Sequence, residues 1–203
     1  ERLIATGIPD RASVREQLGK LAARSALGLA PENRLVVVMG GSMGGGRMED
    51  VVQELLGRLD ATTRIAALCG SNRRLARRLK RRFAGEERLQ IVGYTKQAAL
   101  WMEACDVLLT KPGGLTSTEA AVKGVPLVLT APIPGCETLN AAYFQRHGLA
   151  SRAFAPKRAA AEAQRLLEDE AACADMLRCQ REKMPARAAE AIAERIFLET
   201  EKR

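Results

Sequence analysis

The sequence contains few aromatic residues and no long apolar segment. Phenylalanine, tyrosine and tryptophan make up 3% of its 203 residues, so few rings are available to stack on bases, and no nucleic-acid recognition motif occurs. No run of about 18 apolar residues is present, so no membrane span is expected. These absences remove nucleic acid from the expected partners and predict a globular chain whose core is aliphatic.

The five cysteines form no CxxC pair and are too sparse for a disulfide framework. Their number is odd, and their positions are Cys69, Cys105, Cys136, Cys173 and Cys179. This usage is typical of a reducing compartment, so a cytoplasmic location with free, mostly buried thiols is expected.

Basic residues outnumber acidic ones, which gives a net charge of +8. Seven of them lie between residues 73 and 82, where Leu75, Leu79 and Phe83 recur every four residues. That spacing predicts a helix with a thin apolar stripe and a basic outer face. Two interpretations stay open, a solvated surface helix and a helix attracted to an anionic membrane surface.

Strand-like apolar runs alternate with helical patterns along the chain. The predicted strands are 34–39, 63–69, 88–93, 106–110 and 126–130. Helices are predicted over 11–27, 47–59, 71–83, 96–104, 116–123 and 137–147, and from 156 to the end with a break at Pro185. This alternation predicts an α/β fold whose parallel sheet is covered on both faces. Ligands bind at the carboxyl ends of such strands, so the loops that follow them are the candidate binding loops.

The first of these loops, GGSMGGG (40–46), fits a phosphate-binding role through glycine amides and the Ser42 hydroxyl at a helix start. It is not a P-loop, because Arg47 and Met48 stand where lysine and serine or threonine are required, and no frame fits the dinucleotide GxGxxG pattern.

The same loop also matches the hydrolase pattern GxSxG. A triad of Ser42, either Asp106 or Glu137, and His147 could be written on the sequence. We disfavour it because His147 comes at the predicted end of a helix, directly before Gly148, where a solvent-facing position is expected.

The stretch KPGGLTSTEAAVKGVP (111–126) leaves a buried strand through bare glycine backbone and starts a helix with hydroxyls. Free N–H groups at such a start carry about half a positive charge and favour a phosphate. Glu119 follows in the first or second turn. It is expected to be partly exposed, and its carboxylate suits a vicinal diol such as the ribose 2′,3′-hydroxyls. Together the features predict a ligand with both a diphosphate and a diol.

KPGGLTSTEAAVKGVPLVL, followed by PIPGCETLNAAYFQRHGLA, closely resembles the processive diacylglycerol glucosyltransferases and plant-type monogalactosyldiacylglycerol synthases of glycosyltransferase family 28. The peptidoglycan N-acetylglucosaminyltransferase is a more distant relative. ATGIPDR, VVVMGGSMGGGR, LCGSNRRL and GYTKQAALWMEACDVLLTKPGG fit the same pattern in the same order, so the resemblance spans about residues 5 to 150. It implies a Rossmann-like doubly wound sheet, the C-terminal half of a GT-B glycosyltransferase.

The resemblance also assigns residues to the parts of a UDP-sugar. The phosphates are assigned to Gly41, Ser42, Met43 and Gly44 and to Gly113, Gly114, Leu115 and Thr116. Tyr94 and Thr95 are assigned to the uracil, Glu119 to the ribose diol, and Cys136, Glu137 and Asn140 to the hexose. This chain has PGCE where relatives have PGQE, which leaves the sugar preference open because a thiol hydrogen-bonds more weakly than an amide.

As a whole, the resemblance implies residues 1–12 as an extended linker and 13–203 as the donor-binding domain, with an acceptor-binding N-terminal domain outside this chain. The implied reaction moves glucose, galactose or N-acetylglucosamine from UDP to a membrane lipid such as diacylglycerol, with inversion, at the inner face of the cell membrane. The catalytic base is expected in the missing half. No DxD motif is present, so no metal and no cofactor are expected. Two alternatives stay open, a cell-wall lipid intermediate as the acceptor and a free-standing module that works with a partner chain.

Overall fold

The computed structural model describes residues 4–9, 14, 16–41, 47–185 and 187–200. Six parallel strands form one sheet in the order β3-β2-β1-β4-β5-β6. The strands are β1 (Leu35–Met39), β2 (Arg64–Leu68), β3 (Leu89–Val92), β4 (Val107–Thr110), β5 (Leu127–Leu129) and β6 (Ser151–Arg152). The expected Rossmann-like, doubly wound arrangement is confirmed, because this is the strand order of that fold.

Nine helices accompany the sheet in the described part of the chain. They are α1 (Lys20–Ala26), α2 (Met48–Arg58), α3 (Arg73–Arg82), α4 (Ala98–Ala104), α5 (Gly114–Val122), α6 (Cys136–Arg146), α7 (Pro156–Glu168), α8 (Glu170–Lys183) and α9 (Ala188–Thr200). None of these helices combines the length and apolarity that a bilayer span requires.

The core lies on both faces of the central strands. Every residue of β4 and β5 is buried, so side chains that point to opposite faces are covered alike. The fully buried side chains include Leu55 of α2, Ile65 of β2 and Leu108 of β4. Helix α2 packs against α7, and α1 packs against α4. Helices therefore cover the sheet, and its carboxyl edge is where loops can meet a ligand.

The five predicted strands are confirmed, and the sixth was missed because it has only two residues, both polar. The helix predicted over 11–27 is wrong at residues 16–19, which are not helical. Gly19 precedes α1 with φ of +88°, a conformation that disfavours a continuing helix, and its N–H donates to Glu103 Oε1 at 2.6 Å. Residues 11–13 and 15 of that prediction lie outside the described residues.

The C-terminal region is helical as predicted, with the break at Pro185 confirmed between α8 and α9. A further break separates α7 from α8. Asp169 there adopts a non-helical backbone, and its carboxylate accepts a hydrogen bond from Ala172 N at 2.9 Å. This N-cap stabilises the start of α8.

Candidate functional site

Strands β1 and β4 lie side by side at the centre of the sheet, and the chain turns from them in opposite directions. Strand β1 continues to β2 on one side, and β4 continues to β5 on the other. The loops that follow these two strands therefore diverge and leave a crevice at the carboxyl edge, the usual ligand position in such sheets. These loops begin at Gly40 and Lys111.

A cleft of about 550 Å³ opens at this edge. It is lined by the carboxyl ends of β1 and β2, the segment after β3 and the start of α5, with Pro9 of the N-terminal segment. The predicted site residues that line it are Gly41, Tyr94, Thr95, Leu115, Thr116 and Glu119. These six residues come from two separate loops and one helix, and the fold brings them to one place.

The first turn of α5 presents backbone donors at this edge. The helical hydrogen-bond pattern begins with Ser117 N, which donates to Gly113 O at 3.1 Å, so the N–H groups of the three preceding residues lie beyond it. The helix begins at Gly114, two residues before the predicted start. A helix N-terminus with open N–H groups is a favourable position for an anion.

Glu119 lies in the second turn of α5 and forms part of the cleft wall. The expectation that it is partly exposed is wrong, because only 3% of the residue is accessible. Ser117 and Thr118 are buried with it, since α5 packs against β4, β5 and α8. Glu119 is therefore a buried carboxylate in the wall of the cleft and not a solvated helix-start charge.

Tyr94 contributes an exposed aromatic ring to the rim of the cleft, where 74% of the residue is accessible. It follows β3 directly after Gly93, and the neighbouring Thr95 Oγ1 accepts a hydrogen bond from Gln97 N at 3.0 Å. The threonine thereby fixes the turn into α4. An exposed ring on a fixed turn can pack against the face of a planar base.

The predicted hexose residues lie at the start of α6, next to the crevice. Glu137 is 8% exposed and forms an ion pair with Lys111, and its Oε2 accepts a hydrogen bond from Ile133 N at 2.8 Å. Asn140 Nδ2 donates to Pro112 O at 3.1 Å. These contacts join the loop after β4 to the loop after β5, which places Glu137 and Asn140 beside the glycines that begin α5.

Two further features complete this part of the site. Cys136 is exposed, whereas burial raises the pKa of Cys69 to about 11 and that of Cys105 to about 12, so the latter two thiols stay protonated. Lys111 was missed by the sequence reasoning. The available signal was its position directly after β4 in the KPGG stretch.

The hydrolase triad is contradicted at its histidine and at one of its two candidate acids. Asp106 precedes β4 at the opposite, amino edge of the sheet, where it pairs with Lys20 and Arg24. His147 Nδ1 lies 2.8 Å from Tyr143 O, within its own helix end. Neither side chain can act on a loop at the carboxyl edge. Three of the predicted site residues, Ser42, Met43 and Gly44, lie outside the described residues.

A second cavity, of about 620 Å³, lies at the amino edge of the sheet. It is larger than the cleft, but four of the charged side chains that line it are paired with each other. Lys20 pairs with Asp106, and Lys123 pairs with Glu103. The cleft at the carboxyl edge is therefore the better candidate binding site, because the first N–H groups of α5 are not used by hydrogen bonds within that helix.

Comparison with known proteins agrees with this geometry. A sequence model of the glycosyltransferase family 28 C-terminal domain matches residues 35–195. The chain belongs to this family. It is 32% identical over 160 residues to a processive diacylglycerol beta-glucosyltransferase from Staphylococcus saprophyticus, a match that covers 78% of this chain and 41% of the relative. The chain thus spans less than half the length of that relative.

Solved structures share the fold at low sequence identity. MurG from Acinetobacter baumannii matches 89% of the chain and 53% of its own length, with a TM-score of 0.68 and 18% identity. HepE from Anabaena, solved in complex with UDP and glucose, matches 93% of the chain and 53% of its own length, with a TM-score of 0.65 and 16% identity. The chain therefore has the fold of one half of a GT-B glycosyltransferase.

Within this family 28 domain, the roles of the individual residues stay predictions. The described residues contain no group of three or more histidine, cysteine, aspartate or glutamate side chains placed to hold a metal ion.

Proposed function

We propose that this chain is the donor-binding half of a UDP-sugar-dependent hexosyltransferase with a membrane lipid such as diacylglycerol as its acceptor. The observation that carries the proposal is the cleft at the carboxyl edge of the sheet, where the loops after β1 and β4 diverge. This cleft brings together the exposed ring of Tyr94, the N-terminus of α5 and the buried carboxylate of Glu119. These three groups match a base, a diphosphate and a ribose diol. The name of the staphylococcal relative supports the lipid acceptor, and the UDP and glucose in the HepE complex support the donor.

In the proposed reaction an acceptor hydroxyl oxygen forms a bond to the anomeric carbon of the hexose. The bond from that carbon to the β-phosphate oxygen breaks, and its electron pair leaves with UDP. Attack opposite the leaving group inverts the anomeric centre, and the hydroxyl proton passes to a base in the acceptor half. The first turn of α5 assists by stabilising the charge that develops on UDP, as preorganised N–H groups do elsewhere.

Two other functions make different predictions. A relative that acts on a cell-wall lipid intermediate would bind the same donor class and would differ in the acceptor half. A free-standing module would bind donor without a covalently attached acceptor domain. The gene sequence upstream of Glu1 decides between an attached and a separate partner.

Isothermal calorimetry of the chain with UDP and with UDP-glucose, UDP-galactose and UDP-N-acetylglucosamine tests the proposal. We expect UDP to bind in EDTA. We expect the affinities of the three UDP-sugars to differ, because each hexose makes different contacts with Cys136, Glu137 and Asn140. Inosine diphosphate is the matched control, because it keeps the diphosphate and changes the base. Absence of UDP binding both in EDTA and with Mg²⁺ or Mn²⁺ would sink the proposal, and binding only with a divalent ion would sink its metal-free form.

We further propose that the outer face of α3 meets an anionic membrane surface. Arg73, Arg77 and Arg81 are exposed and recur at a spacing of four, so they lie along one line of the helix. The first of them stands in the first turn, where the helix dipole disfavours a cation. The face therefore carries an arrangement that helix stability does not explain.

Vesicle sedimentation tests this surface. Replacing all three arginines by glutamine should weaken binding to phosphatidylglycerol vesicles by about 1 kcal/mol for each charge. Phosphatidylcholine vesicles should bind neither protein. Replacing Lys157, Arg158 and Arg181, three exposed basic residues on α7 and α8, removes the same charge elsewhere. Equal losses in the two triple variants would leave only a net-charge effect and would overturn the α3 surface.

A further inference from the structure

Lys111 lies where the loop after β1, the start of α5 and the start of α6 come together. A Cβ atom on Gly41 would lie 2.8 Å from Lys111 Cε, and one on Gly113 would lie 3.4 Å from Lys111 Nζ. Gly41 also has φ of +73°, so both space and backbone conformation favour glycine there. The lysine side chain therefore extends from the end of β4 between the loop after β1 and the start of α5.

The ammonium group of Lys111 is held in place by Glu137. The two side chains are 21% and 10% exposed and form an ion pair, and the second oxygen of Glu137 is fixed by Ile133 N at 2.8 Å. Removing this ion pair from water costs desolvation free energy, so the pair by itself adds little to the stability of the fold. An ammonium has three N–H donors, and Glu137 accepts one of them. Within the described part of the chain Glu137 is the only hydrogen-bond acceptor of Lys111 Nζ, so two donors can reach another acceptor in the crevice.

We propose that Lys111 binds the diphosphate of the nucleotide sugar and that Glu137 is its positioning residue. The inference rests on the proposed function, because Lys111 lies beside Gly41, which lines the cleft, and Gly113, which precedes α5. Lys111 brings a full positive charge beside the α5 N-terminus, so two preorganised sources of positive potential converge on one anion. When the bond to the hexose breaks, the electron pair stays on the β-phosphate oxygen, and the ammonium stabilises that charge.

This assignment changes what Glu137 is expected to do. A carboxylate that contacted only the hexose would affect UDP-sugars and leave UDP untouched. If it repelled the diphosphate, its removal would tighten UDP binding, because a negative charge near an anion is lost. If it positions Lys111, its removal weakens UDP binding although a repulsive charge has gone. The sign of the change in UDP affinity therefore separates the three roles.

The test is calorimetry of the whole chain in EDTA with uridine, UMP, UDP and UDP-glucose. For Lys111→Met we expect UDP affinity to fall roughly ten- to hundredfold, the range for a hydrogen bond to a charged group, with uridine affinity unchanged. Lys111→Arg keeps the charge and should recover part of the loss. Lys157→Met, a change of the same charge at an exposed position on α7, is the matched control and should bind as the parent protein does.

A double-mutant cycle then tests the link between the two residues. Glu137→Ala should weaken UDP binding several-fold in the parent protein and should not weaken it further in the Lys111→Met background. Equal losses of Glu137→Ala in both backgrounds, or tighter UDP binding, would overturn the positioning role. Circular dichroism and thermal melting of each variant confirm that it is folded, and if Lys111→Met is not, Lys111→Arg and Glu137→Ala decide by the same comparison of UDP with uridine.

Two failures can be told apart. If the parent protein binds no UDP, the proposed function fails, and the role of Lys111 fails with it. If the parent binds UDP and Lys111→Met binds it equally well, the role of Lys111 is wrong while the proposed function stands.

Discussion

The two edges of the parallel sheet both carry a cavity and charged side chains, but they differ in how those charges are used. At the amino edge, Asp106 accepts hydrogen bonds from Lys20 Nζ at 2.9 Å, Arg24 Nη2 at 2.6 Å and Leu35 N at 2.7 Å. At the carboxyl edge, Lys111 has Glu137 as its one acceptor among the described residues, which leaves two N–H donors for a ligand, and α5 presents the N–H groups of its first turn. The first arrangement ties helix to strand, and the second keeps capacity for a ligand.

The difference shows why cavity size is a poor guide to function here. The amino-edge cavity is the larger of the two, yet four of its charged side chains already form the ion pairs Lys20–Asp106 and Lys123–Glu103. A ligand would have to displace those internal contacts and would gain little in return. At the smaller cleft, the fold already holds the α5 N–H groups and the Lys111 ammonium in fixed positions, so little conformational entropy is lost when a ligand binds. The carboxyl edge is therefore the one that can bind a ligand tightly.

The largest expected effect comes from removing the Asp106 carboxylate, which links Lys20, Arg24 and β1 at the amino edge. Asp106→Ala should lower the free energy of unfolding by about 3 kcal/mol, because it leaves the buried Arg24 guanidinium without its carboxylate partner. UDP affinity should stay unchanged, since the residue lies at the far end of β4 from the cleft. Urea denaturation and UDP calorimetry on the same preparation measure both quantities.

The matched control is Asp175→Ala, which removes a carboxylate from a solvent-exposed pair with Arg178 on α8 and should change stability little. A loss of UDP affinity in folded Asp106→Ala would show that the two edges are coupled, and the separation argued above would then be wrong.

The next effect comes from Glu119, at the wall of the cleft. Glu119→Ala should weaken UDP binding by about 1.5–3 kcal/mol, the range for hydrogen bonds to a charged group. It should affect 2′,3′-dideoxy-UDP far less, because that ligand has no diol for the carboxylate to hold. A cycle of protein mutation and ligand deoxygenation isolates this contact.

Burial of Glu119 makes the choice of readout important. Removing a buried carboxylate can also change the melting temperature, so stability alone no longer distinguishes a structural from a binding role. The comparison of the two ligands does, since both bind the same folded protein. Equal losses for UDP and its dideoxy form would show that Glu119 does not contact the ribose.

Much of the fold follows from local sequence, whereas parts of the site do not. Runs such as 34–39 and 106–110 are continuous and apolar, so they predict buried strands without knowledge of their neighbours. The polar sequence around Glu119 suggested exposure, but packing of α5 against the sheet overrides it. Lys111 and Glu137 are 26 positions apart, so no local pattern could reveal that they pair.

The smallest expected effect concerns Cys136, the residue that departs from the PGQE pattern. It begins α6 and is exposed, next to Glu137 and one turn before Asn140. Its side chain can therefore reach the hexose of a UDP-sugar whose diphosphate is bound at the start of α5. An amide donates and accepts stronger hydrogen bonds than a thiol does. Cys136→Gln should therefore tighten binding of UDP-glucose or UDP-galactose by about 0.5–1.5 kcal/mol, one net hydrogen bond, and leave UDP affinity unchanged.

Calorimetry with the three ligands measures this change in affinity, and Cys136→Ser, which supplies a short hydroxyl in place of the amide, is the control. The sugar whose affinity responds more identifies the hexose that the loop contacts, and an equal change for UDP would place residue 136 outside the hexose site.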